Sequence, residues 1–230
     1  MTGPLDQTAL KQQAAEAAVA EVTDGMVLGL GTGSTAALAV AVLGARVRAG
    51  LRIVGIPTSE RTAEQALGLG IPLASFAEHT RIDLTIDGAD EVHTGTLDLI
   101  KGLGGALLRE KIVAAASRRM TVIVDESKLV GALGSVRLPV EVVAFGWQAT
   151  VARLQEAGAD VAVRQVEGAP FRTDGGNLLA DCAFPSIPDP AALHARLKAI
   201  VGVVETGLFI GMATRVIAGT QAGPRILEQR

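Results

Sequence analysis

Met26-Val27-Leu28-Gly29-Leu30-Gly31-Thr32-Gly33-Ser34-Thr35-Ala36 decides the fold. Met26 to Leu30 is a short apolar run of strand type, the glycines at 29, 31 and 33 punctuate a tight loop, and Ser34 to Leu43 is a run of small helix-forming residues. A strand, a glycine loop and a helix in that order form the turn that binds phosphate, because the first helical N–H groups have no partner and the helix dipole is positive there. The hydroxyls of Thr32, Ser34 and Thr35 add donors. The alternative reading of the loop alone is a tight structural turn. It meets a relaxed dinucleotide fingerprint, but the second strand ends in Ile56-Pro57-Thr58-Ser59-Glu60 without a well-placed acidic partner, and no Gly-Lys-Ser/Thr ending marks a nucleotide P-loop. The uncharged stretch from Gly25 to Ala45 approaches bilayer length, yet Gly31 to Thr35 interrupts it.

Outward from this unit the pattern repeats. Asp6 to Val22 is rich in Ala, Gln, Leu, Lys and Glu and predicts a helix bounded by Pro4 and Asp24-Gly25. Leu51 to Ile56 predicts a strand and Ser59 to Leu67 a helix; Ile71 lies in a short strand, and Ile82 to Ile86 alternates before Asp87. Gly105 to Ala116 predicts a helix and Met120 to Val124 a strand. Such alternation points to an α/β fold with an open, mostly parallel sheet and helices on both faces.

After Gly131 the pattern changes. Val136 to Phe145, Val161 to Val166 and Val203 to Ile210 read as strands, Thr150 to Ala157 and Pro190 to Ile200 as helices, and Phe171 to Ala183 as a hairpin turning at Thr173 to Asn177. This order implies a small split β-α-β-β-α-β domain inserted before a C-terminal strand, Arg215 to Ala218, that returns to the main sheet. The expected division is a main α/β catalytic domain over 1–133, a small α+β domain over 134–211 and a return segment over 212–230. No internal repeat or low-complexity linker interrupts it.

Composition narrows the function. With 230 residues and 49% apolar content the chain can bury a substantial core. A formal charge of −3 offers no general attraction to nucleic acid or acidic membranes, and 3% aromatics leave few platforms for stacking bases. Cys182 is the only cysteine, which excludes an intrachain disulfide and cysteine-clustered metal sites. No basic segment followed by an apolar core opens the chain, so a cytoplasmic enzyme is the expectation.

The remaining chemistry-bearing residues lie in a second strand-end segment and in the segment that follows it. Asp87-Gly88-Ala89-Asp90-Glu91 puts two carboxylates at the ends of a short turn after an apolar strand, where they can hold sugar hydroxyls and move protons during ring opening, or cap the turn and face water. With Glu91 they also offer oxygen ligands for a divalent metal, although no complementary metal motif accompanies them. Lys101 precedes Gly102-Leu103-Gly104-Gly105 and can project an ammonium toward an oxyanion, which makes metal unnecessary. Glu110 lies inside the following helix on an apolar surface, either paired with a neighbouring Lys or Arg or desolvated in a cleft as a base. His79, His93 and His194 have no ligand spacing.

The ordered set Gly31-Thr32-Gly33-Ser34-Thr35, Asp87-Gly88-Ala89-Asp90-Glu91, Lys101-Gly102, Leu108-Arg109-Glu110-Lys111, Asp125-Glu126-Ser127-Lys128 and Leu138-Pro139-Val140-Glu141-Val142 resembles the ribose-5-phosphate isomerase family of the A type. Gly202-Val203-Val204 and Gly207-Leu208-Phe209 extend the resemblance toward the C-terminus. It implies interconversion of D-ribose 5-phosphate and D-ribulose 5-phosphate through a cis-enediol or enediolate, in the pentose phosphate pathway, with neither metal nor nucleotide cofactor. It puts Thr32, Gly33, Ser34 and Thr35 at the substrate, Asp87, Gly88, Ala89 and Asp90 against the sugar, Glu110 as general base, and Lys101 with the backbone of Gly102, Leu103 and Gly104 at the oxyanion. Lys128 and Lys11 match substrate-side lysines. Leu103 stands where the family commonly has glycine. A homodimer or dimer of dimers is implied. Two other uses fit the same residues: a sugar-phosphate sensor without turnover, and a transferase with Glu110 as nucleophile.

Overall fold

A computed structural model describes residues 6–229 of the chain. In chain order the helices are α1 (Gln7–Val19), α2 (Ser34–Arg48), α3 (Glu60–Gly68), α4 (Leu107–Ala115), α5 (Trp147–Glu156) and α6 (Pro190–Lys198). The strands of the first half are β1 (Val27–Leu30), β2 (Val54–Pro57), β3 (Leu84–Asp87), β4 (Glu91–His93), β5 (Leu99–Ile100), β6 (Met120–Asp125) and β7 (Leu129–Val130). Those of the second half are β8 (Leu138–Val142), β9 (Asp160–Val163), β10 (Gln165–Val166), β11 (Ala169–Pro170), β12 (Leu178–Ala183), β13 (Val203–Thr206), β14 (Leu208–Phe209), β15 (Arg215–Gly219) and β16 (Arg225–Glu228).

The main sheet runs β16-β15-β6-β3-β1-β2. It is parallel throughout except for β16, an antiparallel strand on the edge beside β15 that the sequence reading did not anticipate. Its interior strands read as continuous apolar runs because both faces are covered: α1 and α2 pack on one, and Val113 and Ala114 of α4 enter the apolar clusters of the other. Asp6 caps α1 by accepting the Ala9 N–H, and the helix buries Leu10, Ala14, Ala15, Ala18 and Val19. Helix α2 continues past Leu43 to Arg48, since its buried stripe of Ala36, Ala39, Val40 and Leu43 is prolonged by Gly44 against its neighbours. Strand β1 lies between β2 and β3, so the chain leaves β1 in one direction and returns on its other side. The crevice above the carboxyl ends of β1 and β3 is the topological switch point, where ligands bind in sheets of this kind.

The small domain is a four-stranded antiparallel sheet, β13-β8-β12-β9, backed by α5 and α6. Leu138, Val140 and Val142 of β8 pack with Leu154, Leu178, Ala180, Cys182, Leu193 and Leu197 in its core. The β-α-β-β-α-β order is present, with β15 returning to the main sheet after it. Three expected strands differ in detail. The one over 136–145 contracts to β8, and the one over 161–166 breaks at Arg164, after which β10 pairs with β11 in an exposed hairpin. The one over 203–210 divides at Gly207, with β13 pairing with β8 and β14 with β5 in another sheet. The 171–183 hairpin keeps its turn but pairs upstream only through an isolated Arg172–Leu178 bridge.

A third sheet, β14-β5-β4-β7, had no counterpart in the sequence reading. Its strands are two or three residues long, too short for an alternating pattern to register. The β4–β5 hairpin takes the chain out after Asp90 and back to Lys101, and thereby sets the lysine beside the turn that it left.

Candidate active site

Strand β1 delivers the first loop to the switch point, and residues from the second crossover hold it there. The Thr58 N–H and hydroxyl both donate to the carbonyl of Leu30, at 2.9 and 3.0 Å. The Thr32 hydroxyl sits 2.7 Å from that of Thr58, 2.8 Å from Ser59 and 3.2 Å from Thr62, while Thr62 donates to the carbonyl of Gly31 at 3.0 Å. All four hydroxyl residues are buried. Sequence reasoning gave Thr58, Ser59 and Thr62 no part in the site; the Ser59-x-x-Thr62 spacing, in which Ser59 caps α3, was the available signal. Gly33, at the N-cap of α2, supplies no side chain to the helix end, so the first amides of α2 stay open to a ligand. Lys11 of α1 reaches the same end and donates to the Ser34 hydroxyl at 3.2 Å.

The second group lies at the ends of β3 and β5 and in the first turn of α4. Lys101 Nζ is 3.0 Å from Asp87 Oδ2 and 3.4 Å from Glu110 Oε2, and donates to the carbonyl of Gly88 at 2.6 Å. The Phe209 ring lies 5.4 Å from the same ammonium. Asp87, Lys101 and Glu110 are 0%, 2% and 3% exposed, so the three charges interact in a dry environment where each matters more than it would in water. Asp87 also accepts the N–H groups of Thr32 (3.1 Å) and Gly88 (2.7 Å), and so ties the first loop to the lysine.

Burial pushes the Glu110 carboxyl up to about 8; Lys101 opposes the rise, and Asp87 and Asp90 add to it. Burial alone would lower Lys101, but the charges of Asp87 and Glu110 override it and hold its pKa raised. On Asp87, burial acts upward against the pull of Lys101 and the two backbone donors. The site thus contains a firmly charged lysine and a carboxyl poised to gain or lose a proton near neutrality, the combination that proton transfer at a carbon next to a carbonyl requires.

A cavity of about 130 Å³ brings together Lys11, Thr32, Gly33, Ser34, Thr35, Gly88, Ala89, Asp90, Lys101, Gly102, Gly104, Glu110 and Lys128. Two of the residues singled out from the sequence do not line it. Asp87 is fully buried in contact with Lys101, and Leu103 is 43% exposed. Leu103 has no left-handed backbone, so the position tolerates a side chain where glycine is common. Its N–H donates to Asp90 Oδ2 at 2.9 Å. Glu91 turns away from the aspartates to accept from the backbone of Gly134 and Val136 and from the Ser135 hydroxyl. Among the described residues no three His, Cys, Asp or Glu side chains converge as metal ligands. Cys182 is a core residue whose thiol burial pushes up to about 12.

Known proteins resemble this chain along most of its length. The family model for ribose 5-phosphate isomerase A (phosphoriboisomerase A) matches residues 54–223. Ribose-5-phosphate isomerase A of Gloeobacter violaceus is 61% identical over 224 residues, covering 97% of each chain, and that of Thermomicrobium roseum is 51% identical, covering 95% of this chain and 93% of the relative. The solved ribose 5-phosphate isomerase A of Methanocaldococcus jannaschii superposes with a TM-score of 0.92 at 42% identity, covering 96% of this chain and 99% of that one. A D-ribose-5-phosphate isomerase solved in complex with phospho-erythronic acid superposes at 0.95, with 39% identity, 98% of this chain and all of that one covered.

Proposed function

The chain belongs to the ribose 5-phosphate isomerase A family, and from that premise we infer that it is an isomerase interconverting D-ribose 5-phosphate and D-ribulose 5-phosphate. One observation about its own residues carries the mechanism: Lys101 and Glu110 face one another at 3.4 Å, both almost fully buried, and both line the cavity beside the open N-terminus of α2.

In the proposed reaction the substrate phosphate occupies the end of α2 among Thr32, Gly33, Ser34 and Thr35, with Lys11 and Lys128 as counter-charges. Asp90, on the cavity wall, exchanges the proton that opens the furanose ring. Glu110 then removes the C2 proton of the open-chain aldehyde. The C–H electrons form the C1–C2 double bond, and the carbonyl pair moves to O1, whose negative charge Lys101 offsets. Return of the same proton to C1, with transfer of the O2 proton to O1, leaves the ketone at C2 and a hydroxyl on C1. Asp87 works behind this centre by holding Lys101 and the Thr32 N–H in place. Anchoring the phosphate away from the reacting carbons keeps base, carbon and ammonium in register.

Incubation of the purified protein with ribose 5-phosphate in chelator, followed for ribulose 5-phosphate, tests this reading. Turnover without an acyl donor is the expected result. Binding without turnover would favour a sensor, dependence on an acyl donor would favour a transferase with Glu110 as nucleophile, and dependence on added metal would overturn the cofactor-free mechanism. A phosphorylated four-carbon acid such as the one bound to the solved relative carries a planar carboxylate where the enediolate would lie, and is expected to inhibit competitively. On the same reading the protein acts in the cytoplasm, in the pentose phosphate pathway, as a homodimer or dimer of dimers. Phe145 and Val201, 93% and 94% exposed, line one surface groove of the small domain and support self-association. Analytical ultracentrifugation measures it directly.

A further inference from the structure

The loop that follows Lys101 is gripped from the small domain by a side chain outside the catalytic group. Arg164, where the β9 edge breaks, uses Nε and Nη2 on the two carboxylate oxygens of Asp181, at 2.9 and 2.5 Å. Its remaining nitrogen, Nη1, donates to the carbonyls of Leu103 at 2.9 Å and Gly102 at 3.3 Å. The guanidinium is a rigid planar fork, so fixing two corners on Asp181 aims the third. Both side chains are mostly buried, at 17% and 16% exposure. The Phe171 ring lies 6.0 Å from the guanidinium, over Gly105.

The peptide bond dictates what this grip does. In a planar trans peptide the C=O and the N–H point in opposite directions, and no cis bond occurs among the described residues. With the Gly102 carbonyl turned to Arg164, the N–H of Leu103 must point the other way, and it does, onto Asp90 at 2.9 Å. By the same geometry the Leu103 carbonyl on Arg164 turns the N–H of Gly104 toward the opposite side, where Gly104 lines the cavity with Lys101 and Glu110. Among the described residues that N–H has no acceptor.

We propose that the Arg164–Asp181 pair is a positioning device for the isomerisation, which orients the Leu103–Gly104 peptide so that the Gly104 N–H serves with Lys101 as a donor to the enediolate oxygen. Arg164 touches no substrate; it acts through the loop. The small domain thereby takes part in catalysis by presetting a donor that would otherwise have to reorganise during the reaction. This inference rests on the isomerase reading above.

The test uses the full-length protein, with ribose 5-phosphate turnover, binding of 4-phosphoerythronate and binding of inorganic phosphate measured in parallel. In Arg164→Ala, kcat is expected to fall about 10²-fold, the range seen when one oxyanion donor is lost. KM and phosphate affinity should stay within about threefold while 4-phosphoerythronate binds at least about tenfold more weakly, because only ligands with charge at the oxyanion sense the Gly104 N–H. Arg164→Lys keeps the charge but not the fork and should resemble Arg164→Ala. Asp181→Asn, which keeps the shape of the acceptor, should change the same quantities in the same direction by a smaller factor, and stands in where an Arg164 variant fails to fold. Unchanged kcat, or kcat, KM and phosphate affinity worsening together, overturns the positioning role while leaving the isomerase assignment intact. Absence of turnover in the unaltered protein overturns both.

Discussion

Gly31–Thr35 and Gly102–Gly105 both lead into a helix and both contribute to the cavity, but they are held by different means. The first is the end of a parallel strand, seated on hydroxyls from the adjacent crossover and open at the start of a long helix. Any strand–glycine–helix unit at a switch point has the same donors, so this loop offers an anion site without specifying a reaction. The second follows a two-residue strand and is fastened by Asp90 on one side and Arg164 on the other. Its neighbours Lys101 and Glu110 are buried by the assembled fold. The difference separates binding, which secondary structure can supply, from proton transfer, which needs desolvated charges placed by distant segments.

The largest test of that division is Glu110→Gln. It should lower kcat by about 10³-fold, in line with loss of a general base, and leave phosphate affinity unchanged. Near-normal isomerisation would end the base assignment. Lys101→Met should lower kcat by about 10²-fold and also destabilise the fold by about 3–5 kcal/mol in denaturant titration, because Asp87 and Glu110 lose the ammonium between them. Retained stability would mean that water or protonation replaces the lysine at low cost.

The pH profile gives the next effect in size. Since the Glu110 carboxyl is pushed up to about 8 and must be ionised to accept the C2 proton, kcat/KM should rise with pH up to about 8 and level off above it. On the acidic side the fall approaches about tenfold per pH unit, the slope for one required deprotonation. A profile flat from pH 6 to 9 would contradict the raised carboxyl.

Paired glycine substitutions probe the loops themselves. Gly105 has φ +86° and a methyl there would meet the Phe171 ring at 2.8 Å, whereas Gly33 has φ +112° with nothing within 4 Å. Gly105→Ala should therefore cost about 2–3 kcal/mol of stability and depress kcat, and Gly33→Ala about 1 kcal/mol with its effect on KM. Equal effects on kcat from both would erase the distinction. The smallest change is expected from Thr62→Val, which removes the donor to the Gly31 carbonyl and should weaken phosphate binding about fivefold, as one hydrogen bond is worth about 1 kcal/mol.

Much of the architecture was legible in the chain. The β1–α2 unit, the alternating elements on either side of it and the small split domain all carry strong periodic signals spread over contiguous residues. The boundaries that moved did so for tertiary reasons: α2 ran on because its packed face continues through Gly44 against Leu69, and the 203–210 run was shared between two sheets that no local pattern distinguishes. Residue types in the candidate site were legible too, through the spacing of Asp87, Asp90, Lys101 and Glu110, but their relations were not. The chain could not say that Asp87 would lie buried against Lys101 with only Asp90 on the cavity wall, because adjacent turn residues diverge according to what packs above them.

Local order therefore followed from pattern, since a helix face or a strand ladder is decided within a dozen residues. A glycine loop at the end of one strand and carboxylates at the end of another needed nothing more. The dry pairing of Lys101 with Asp87 and Glu110, the hydroxyl seat beneath Thr32 and the grip of Arg164 on the 102–105 loop came from separate elements that only the fold brings together. Desolvation and hydrogen-bond direction depend on everything that surrounds a group, and those surroundings exist only once the chain has folded.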